Sequence, residues 1–388
     1  MRTFAALVQL LSGGFLFALM PLGALPLTAG GLDGVWRGTI GQTEVQLCMQ
    51  GEPGADLGAY YALADGQIIT LEADGASWEQ WHEASADRTA SLTFAQQDAD
   101  HMTGTRRAEV STPIAMTRVP LLADDVNDSQ LTYCGSLTFS APRLRVDDIV
   151  QRVPAFRHGR AYTRLKFSPL KLDVDLESFQ LPGTSSAVKA INVELAQGFP
   201  GIDVEADVLD CSRSNLGWSG RDGLDTETRW PEILTDHLLV VGTKFEVYCG
   251  GAYPETSTQW QVINPQTGKA VDTTTWLEDG ALDKLQNDAT RAVEDGKLPK
   301  KHGFSRLFMK HYGAATAGDD GCADILSEDD HWFIRPARNG MIFTQDLPHV
   351  AQACSVDITI PYAELWPFLS PSGKAMATTV REVLNSKN

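Results

Sequence analysis

The stretch EVYCGGAYPETSTQWQVINPQTGKAVD, residues 246–272, gathers residue types that could do chemistry: a Gly-Gly pair, a cysteine and a Thr-Gly-Lys. A phosphate loop needs G-x-x-x-x-G-K followed by Ser or Thr and then a helix, because backbone N–H groups and the helix start hold the phosphates. Here Ala270 follows Gly268-Lys269, and position 263 is Ile where that loop needs its first glycine. Thr258, Trp260 and Val262 alternate with Gln259, Gln261 and Ile263, which is strand periodicity. Asn264-Pro265 starts a turn and Gly268 supplies a positive φ. The stretch is expected to be a hairpin, not a phosphate site.

Other catalytic patterns are weaker. Ser219 in GWSGRDG has Gly220 directly after it, one place too early for G-x-S-x-G. There is no H-E-x-x-H, and eight dispersed histidines do not make a zinc set by spacing. His302 and His311 read as surface residues, and Asp346, near His349, as the cap of a helical turn. Asp319-Asp320 and Glu328-Asp329-Asp330 lack calcium-loop spacing and read as solvated loops. No metal and no cofactor is expected.

The elements that must position these groups fall into two parts. Residues 33–120 carry short apolar-alternating runs separated by turn residues, so a small all-β domain, meander or barrel-like, is expected. Gly34-Val35-Trp36 is similar to the G-x-W of lipocalin- and avidin-like barrels, but the favoured reading is a Trp plugging one end of a small β-domain. Residues 121–130, LLADDVNDSQ, read as a linker, and 131–388 as an α+β domain. Within it a helix is expected over TSSAVKAINVELAQG, capped by Ser185 or Ser186 and stopped by Gly198, and another over DGALDKLQNDATRAVEDG. The hairpins 257–275 and 331–345 are expected in one sheet, the second on a type I′ turn at Asn339-Gly340. In KLPKKHGFSRLFMKHY, Phe304, Phe308 and Tyr312 share one helical face, so the rings belong in the core and the lysines in water; a basic patch for an anionic polymer is the sharper alternative.

Arg2 followed by the apolar run Phe4 to Met20, with small residues near Ala24 and Ala29, is the pattern of a signal peptide over 1–30. A mature chain beginning between about residues 25 and 33 in the periplasm or outside the cell is expected, with no stable membrane span after cleavage. Six cysteines without a C-x-x-C suit disulfides in that compartment. The expected pairs are Cys211–Cys249, Cys322–Cys354, whose partners flank the second hairpin, and Cys48–Cys134, where both side chains point away from their strands' apolar faces. The net charge of −18 disfavours nucleic acid as a partner.

The motifs YCGGAYPE…INPQTGKAVD and NGMIFTQDLPHVAQAC…DITIPYAELWPFLSPSGK together resemble the DUF3298 family of exported domains. The matching positions are Tyr248, Gly250, Gly251 and Ala252, then Thr267-Gly268-Lys269, Gly340 to Phe343, and Ile360-Pro361-Tyr362 to Leu365. The segment from about 160 to 200 is similar to a DUF4163 region. The family's usual histidine is Tyr253 here, so no imidazole role carries over. The resemblance implies an exported domain similar to the extracellular part of a lysozyme-sensing anti-sigma factor, a family that also occurs beside a peptidoglycan deacetylase domain. No deacetylase motif and no anti-sigma segment is seen in this sequence. The resulting expectation is a cell-envelope binding or sensing protein without catalysis of its own, with a muramidase or peptidoglycan as partner and Tyr248, Gly250, Gly251, Tyr253 and His349 as binding residues. Two alternatives stay open: an exported hydrolase or deacetylase whose site forms only in space, for instance from His158, His331 and His349, and a small-ligand carrier using an open barrel lined by Trp36, Trp78 or Trp81.

Overall fold

The computed structural model describes residues 31–388 except 53–54, 83–84, 128–131, 145–147, 204–205, 286–287, 289–302, 316–331, 348–350, 352–353 and 386–388. The signal segment, Cys322, His302, His331 and His349 lie outside the described residues, and so does the Cys322–Cys354 pairing.

Alternation of apolar and polar residues builds the first unit. The strands β1 (Gly34–Ile40), β2 (Thr43–Glu52), β3 (Ala55–Ala62), β4 (Ile69–Asp74), β5 (Ser77–His82), β6 (Ser85–Gln96), β7 (His101–Arg107) and β8 (Ser111–Arg118) form an antiparallel meander. It closes as a barrel where β1 pairs β8 from Trp36↔Arg118 to Ile40↔Ile114. In β2, Val45, Leu47 and Met49 point inward, while Gln46, Cys48 and Gln50 point outward. The lumen is filled by its own side chains, among them Trp36, Leu47, Met49, Leu71, Trp78 and Leu92. Each such side chain contributes about 1.5–3 kcal/mol of burial. Trp36 Nε1 donates to the Leu32 carbonyl at 2.9 Å, and the Arg118 guanidinium covers its ring at 4.2 Å. Trp36 is therefore an end plug, and the carrier reading loses the open lumen it requires.

The second unit is a seven-stranded sheet in the order β15-β14-β13-β12-β11-β10-β9. Its strands are β9 (Gln151–Arg157), β10 (Arg160–Phe167), β11 (Val174–Gln180), β12 (Leu224–Leu234), β13 (Leu239–Tyr248), β14 (Glu255–Asn264) and β15 (Lys269–Ala270). Among its pairs β11 and β12 run parallel, as a helical crossover requires. That crossover carries α3 (Ser186–Leu195) and α4 (Asp210–Ser219). Ser185 caps α3 by accepting from the Val188 N–H, and Ile191 and Leu195 bury against Leu239, Val241 and Ile263. At the other end Arg229 donates to the carbonyls of Glu194, Leu195 and Gln197, placing a cation on the helix C-terminus.

The third layer is a separate sheet, β16 (Trp332–Pro336), β17 (Gly340–Gln345) and β18 (Asp357–Pro361). With it go α5 (Phe304–Ala315), α6 (Tyr362–Leu365) and α7 (Pro371–Asn385). Phe304, Phe308 and Tyr312 are buried and join Phe343, Ile358, Val240 and Val262 in one core, so the rings of the basic stretch are structural. Among the described residues the two sheets share that core but not a hydrogen-bond ladder. The expectation of one sheet for both hairpins is thus corrected, because sheet membership is decided by packing that no local pattern carries.

Between barrel and α+β unit, α1 (Ala123–Val126) and α2 (Leu137–Ser140) lie in the segment that covers the outer face of β2 and β3. Asp125, in the stretch read as a linker, is buried and accepts from the Leu137 and Thr138 N–H groups and the Thr138 hydroxyl. Gln46 donates to the Thr138 carbonyl at 2.6 Å, and the Tyr61 hydroxyl to the Phe139 carbonyl at 2.6 Å. The Cys48–Cys134 disulfide joins the same two layers.

Two glycines, Gly268 and Gly340, sit at close backbone approaches. Gly268, at φ +71°, would place a Cβ 2.8 Å from the Ala187 carbonyl in the first turn of α3. The β14–β15 register, Ile263↔Ala270 and Asn264↔Lys269, makes this a hairpin loop as expected. At Gly340 a Cβ would meet the Ile360 carbonyl at 2.3 Å. The second hairpin does not turn on Asn339-Gly340: the Ala337 N–H donates to the Gly340 carbonyl, and neither Asn339 nor Gly340 has positive φ. Gly340 is needed for the approach of β18. Gly340→Ala is accordingly expected to cost about 1–3 kcal/mol, the range for overpacking. Asn339→Ala should be near neutral by chemical denaturation, whereas a type I′ turn would make it costly.

Candidate functional site

The Gly-Gly stretch forms a loop at the end of β13. Cys249 follows the strand directly and is bonded to Cys211 in the first turn of α4, with Cα atoms 4.4 Å apart. Gly250 and Gly251 take φ of +109° and +113°, a region that side chains disfavour. The Tyr248 hydroxyl donates back to the Gly251 carbonyl at 3.0 Å. Trp218, on the last turn of α4, flanks Gly250 and is 78% exposed, and Tyr253 is 76% exposed. Tyr248, Gly250, Gly251 and Tyr253 are thus gathered in one loop, and Trp218 joins them. No motif singled Trp218 out; its exposure follows from α4, whose buried side is Cys211, Ser212, Asn215 and Leu216.

The platform beneath the loop is polar and saturated. Asn215 is fully buried and donates to the Asp222 carbonyl at 2.7 Å. The Ser219 hydroxyl donates to Asn215, so the serine of GWSGRDG is engaged by its own helix, without an imidazole beside it among the described residues. His158 lies in the two-residue turn between β9 and β10, at φ +47°, and accepts from the Leu234 N–H. His311 faces Glu364, which also pairs with Lys310.

Two further features lie on the seven-stranded sheet. On one face a groove of about 460 Å³ runs between the end of α3 and the strands, lined by Glu194, Glu227, Arg229, Phe245 and Gln261. Burial raises the pKa of Glu227 against the opposing pull of Arg229, and burial with the nearby Asp210 carboxylate raises that of Asp225. On the opposite side, where the three-stranded sheet packs, a cleft of about 430 Å³ is walled by Trp230 and Trp260, set edge to face at 5.4 Å. Arg335 lies over the Trp260 ring at 3.7 Å and pairs with Asp357 at 2.5 Å, and Arg157 pairs with Glu232 at 3.4 Å.

No family model matches the chain, and no curated protein matches it either. Among solved structures it is similar to a DUF3298 family member from Bacteroides fragilis NCTC 9343, at 13% identity and a TM-score of 0.37, covering 61% of this chain and 96% of that one. It is also similar to a DUF3298 family protein from Pseudomonas aeruginosa PAO1, at 11% identity and a TM-score of 0.32, covering 57% of this chain and 94% of that one.

Asp225 gives a pH test of the sheet. Its folded pKa is raised, so the folded state holds the proton more tightly than the unfolded chain, and stability falls as pH rises through that window. Asp225→Asn is expected to raise the denaturation midpoint at pH 7. The difference should vanish below about pH 4, where the unfolded carboxyl is itself protonated.

Proposed function

We propose that the protein is an exported, DUF3298-like binding module of the cell envelope with no catalysis of its own, and that the Gly-Gly loop with Trp218 and Tyr253 is its contact surface for a muramidase or peptidoglycan. The observation that carries this reading is the pair of large aromatic side chains held in solvent beside a loop that the Cys211–Cys249 disulfide ties to α4. Rigid exposed aromatics bind at low entropic cost, and Trp and Tyr dominate hot spots. The disulfides support export, since such bonds persist in oxidising compartments. The hydrogen bond from Ser219 to Asn215 and the ion pairs of Glu232 and Asp357 support binding over catalysis, because these groups already serve the fold.

The test is retention of the mature protein on insoluble peptidoglycan and on immobilised lysozyme. Retention on one of them is expected, with a loss of about tenfold or more in Trp218→Ala, as for an aromatic hot spot. Failure on both, or a Trp218→Ala variant that binds like the parent, refutes the proposal.

A further inference from the structure

Among the described residues two arginines, Arg143 and Arg335, are buried, and they differ in what surrounds them. Arg143 is 1% exposed and uses all five of its N–H donors: Nε to the Gly66 carbonyl, one terminal nitrogen to Ser212 and Asp222, the other to the Lys171 carbonyl and Asp222. Arg335 is 3% exposed but uses two, one to the Thr344 hydroxyl at 2.6 Å and one to Asp357. Three N–H donors of Arg335, including Nε–H, have no protein acceptor among the described residues, and the side chain lines the cleft of about 430 Å³. Its guanidinium plane is fixed by stacking on Trp260, so these donors are held in a defined plane.

The rest of the cleft suits an anion with a ring. Arg157 and Arg338 add two cations, and Arg338, on the exposed turn of the second hairpin, has no ion-pair partner among the described residues. Three arginines face two carboxylates, Glu232 and Asp357, in a chain whose net charge is −18. Trp230, Ile233, Ile342 and Leu384 provide apolar wall. The volume falls within the range of small-molecule sites.

We infer that this cleft is a binding site for a carboxylate-bearing sugar ring: the carboxylate takes the unused in-plane donors of Arg335, helped by Arg338, and the ring packs on the indole of Trp230. A planar fork matches a two-oxygen carboxylate, and buried charge-assisted bonds of this kind are strong. The indole of Trp230 in the apolar wall offers a ring a planar surface to pack on. The site lies apart from the Gly-Gly loop and is tested without muramidase or polymer, so the two proposals fail separately.

The experiment titrates the full mature protein with N-acetylmuramic acid, with N-acetylglucosamine as the ring without the carboxylate, and with N-acetyl-alanyl-alanine as a carboxylate without the ring. Tryptophan fluorescence is read, with indole NMR shifts assigned through Trp230→Phe. The acid sugar is expected to bind, with shifts at the Trp230 and Trp260 indoles, and each control to bind about tenfold or more weakly. Arg335→Lys, which keeps the charge but not the fork, and Arg338→Gln, on the exposed turn, should each weaken the acid sugar. The Arg338 variant keeps the test available if the buried substitution does not fold. Equal binding of the two sugars, tighter binding of the dipeptide, or no response of either indole overturns the inference.

Discussion

The barrel meets the α+β unit around the Arg143–Asp222 ion pair. Arg143 is fully enclosed, and its five donors reach a barrel loop at Gly66, the β10–β11 connection at Lys171, the helix α4 at Ser212, and Asp222 itself. Asp222 also accepts from the Ser212 hydroxyl and the Gly223 N–H, so its charge is dispersed over fixed donors. A buried pair of this kind contributes little net stability against an apolar substitute, but removing one partner costs about 3–5 kcal/mol because the other is left charged and dry. Geometry is what the pair supplies: it sets α4 against both the barrel and the sheet. The helix carries Cys211 and Trp218, so the exposed loop surface inherits its position from a salt bridge whose arginine is enclosed and whose Asp222 side chain is 16% exposed.

The disulfides act on the same assembly from its edges. Cys48–Cys134 spans 86 residues and ties the outer barrel wall to its covering segment, and Cys211–Cys249 spans 38 and ties α4 to β13. In the chain-entropy treatment they are worth about 4–5 kcal/mol each, the longer loop the more. The covering segment needs such a tie, because it contributes two four-residue helices and one buried carboxylate and little regular structure of its own.

What could be read before folding was whatever is encoded by alternation. The barrel strands, the outward pointing of Cys48, the cap of α3 at Ser185 and the buried rings of α5 all follow from period-two or helical spacing. What could not be read depends on partners distant in sequence. Cys211 lies in α4, whose interior side is largely polar (Ser212, Asn215) and gives weak helical contrast in the sequence. Asn339-Gly340 has turn chemistry, but Gly340 serves the approach of Ile360, a residue twenty positions on. Asp125 reads as linker polarity and is a buried acceptor for the Leu137 and Thr138 N–H groups. The candidate site shows the same division: Tyr248, Gly250, Gly251 and Tyr253 were legible as a motif, whereas Trp218 and the arginine cleft exist only through packing.

Arg143 and Asp222 thus act as one unit that sets the barrel against the α+β unit. A double-mutant cycle with Arg143→Met, Asp222→Leu and the pair, followed by chemical denaturation, measures it directly. Each single change should cost about 3–5 kcal/mol, and the double change much less than their sum, because neither charge is then left buried alone. Additive losses would show that the two residues serve the fold independently and would contradict the account.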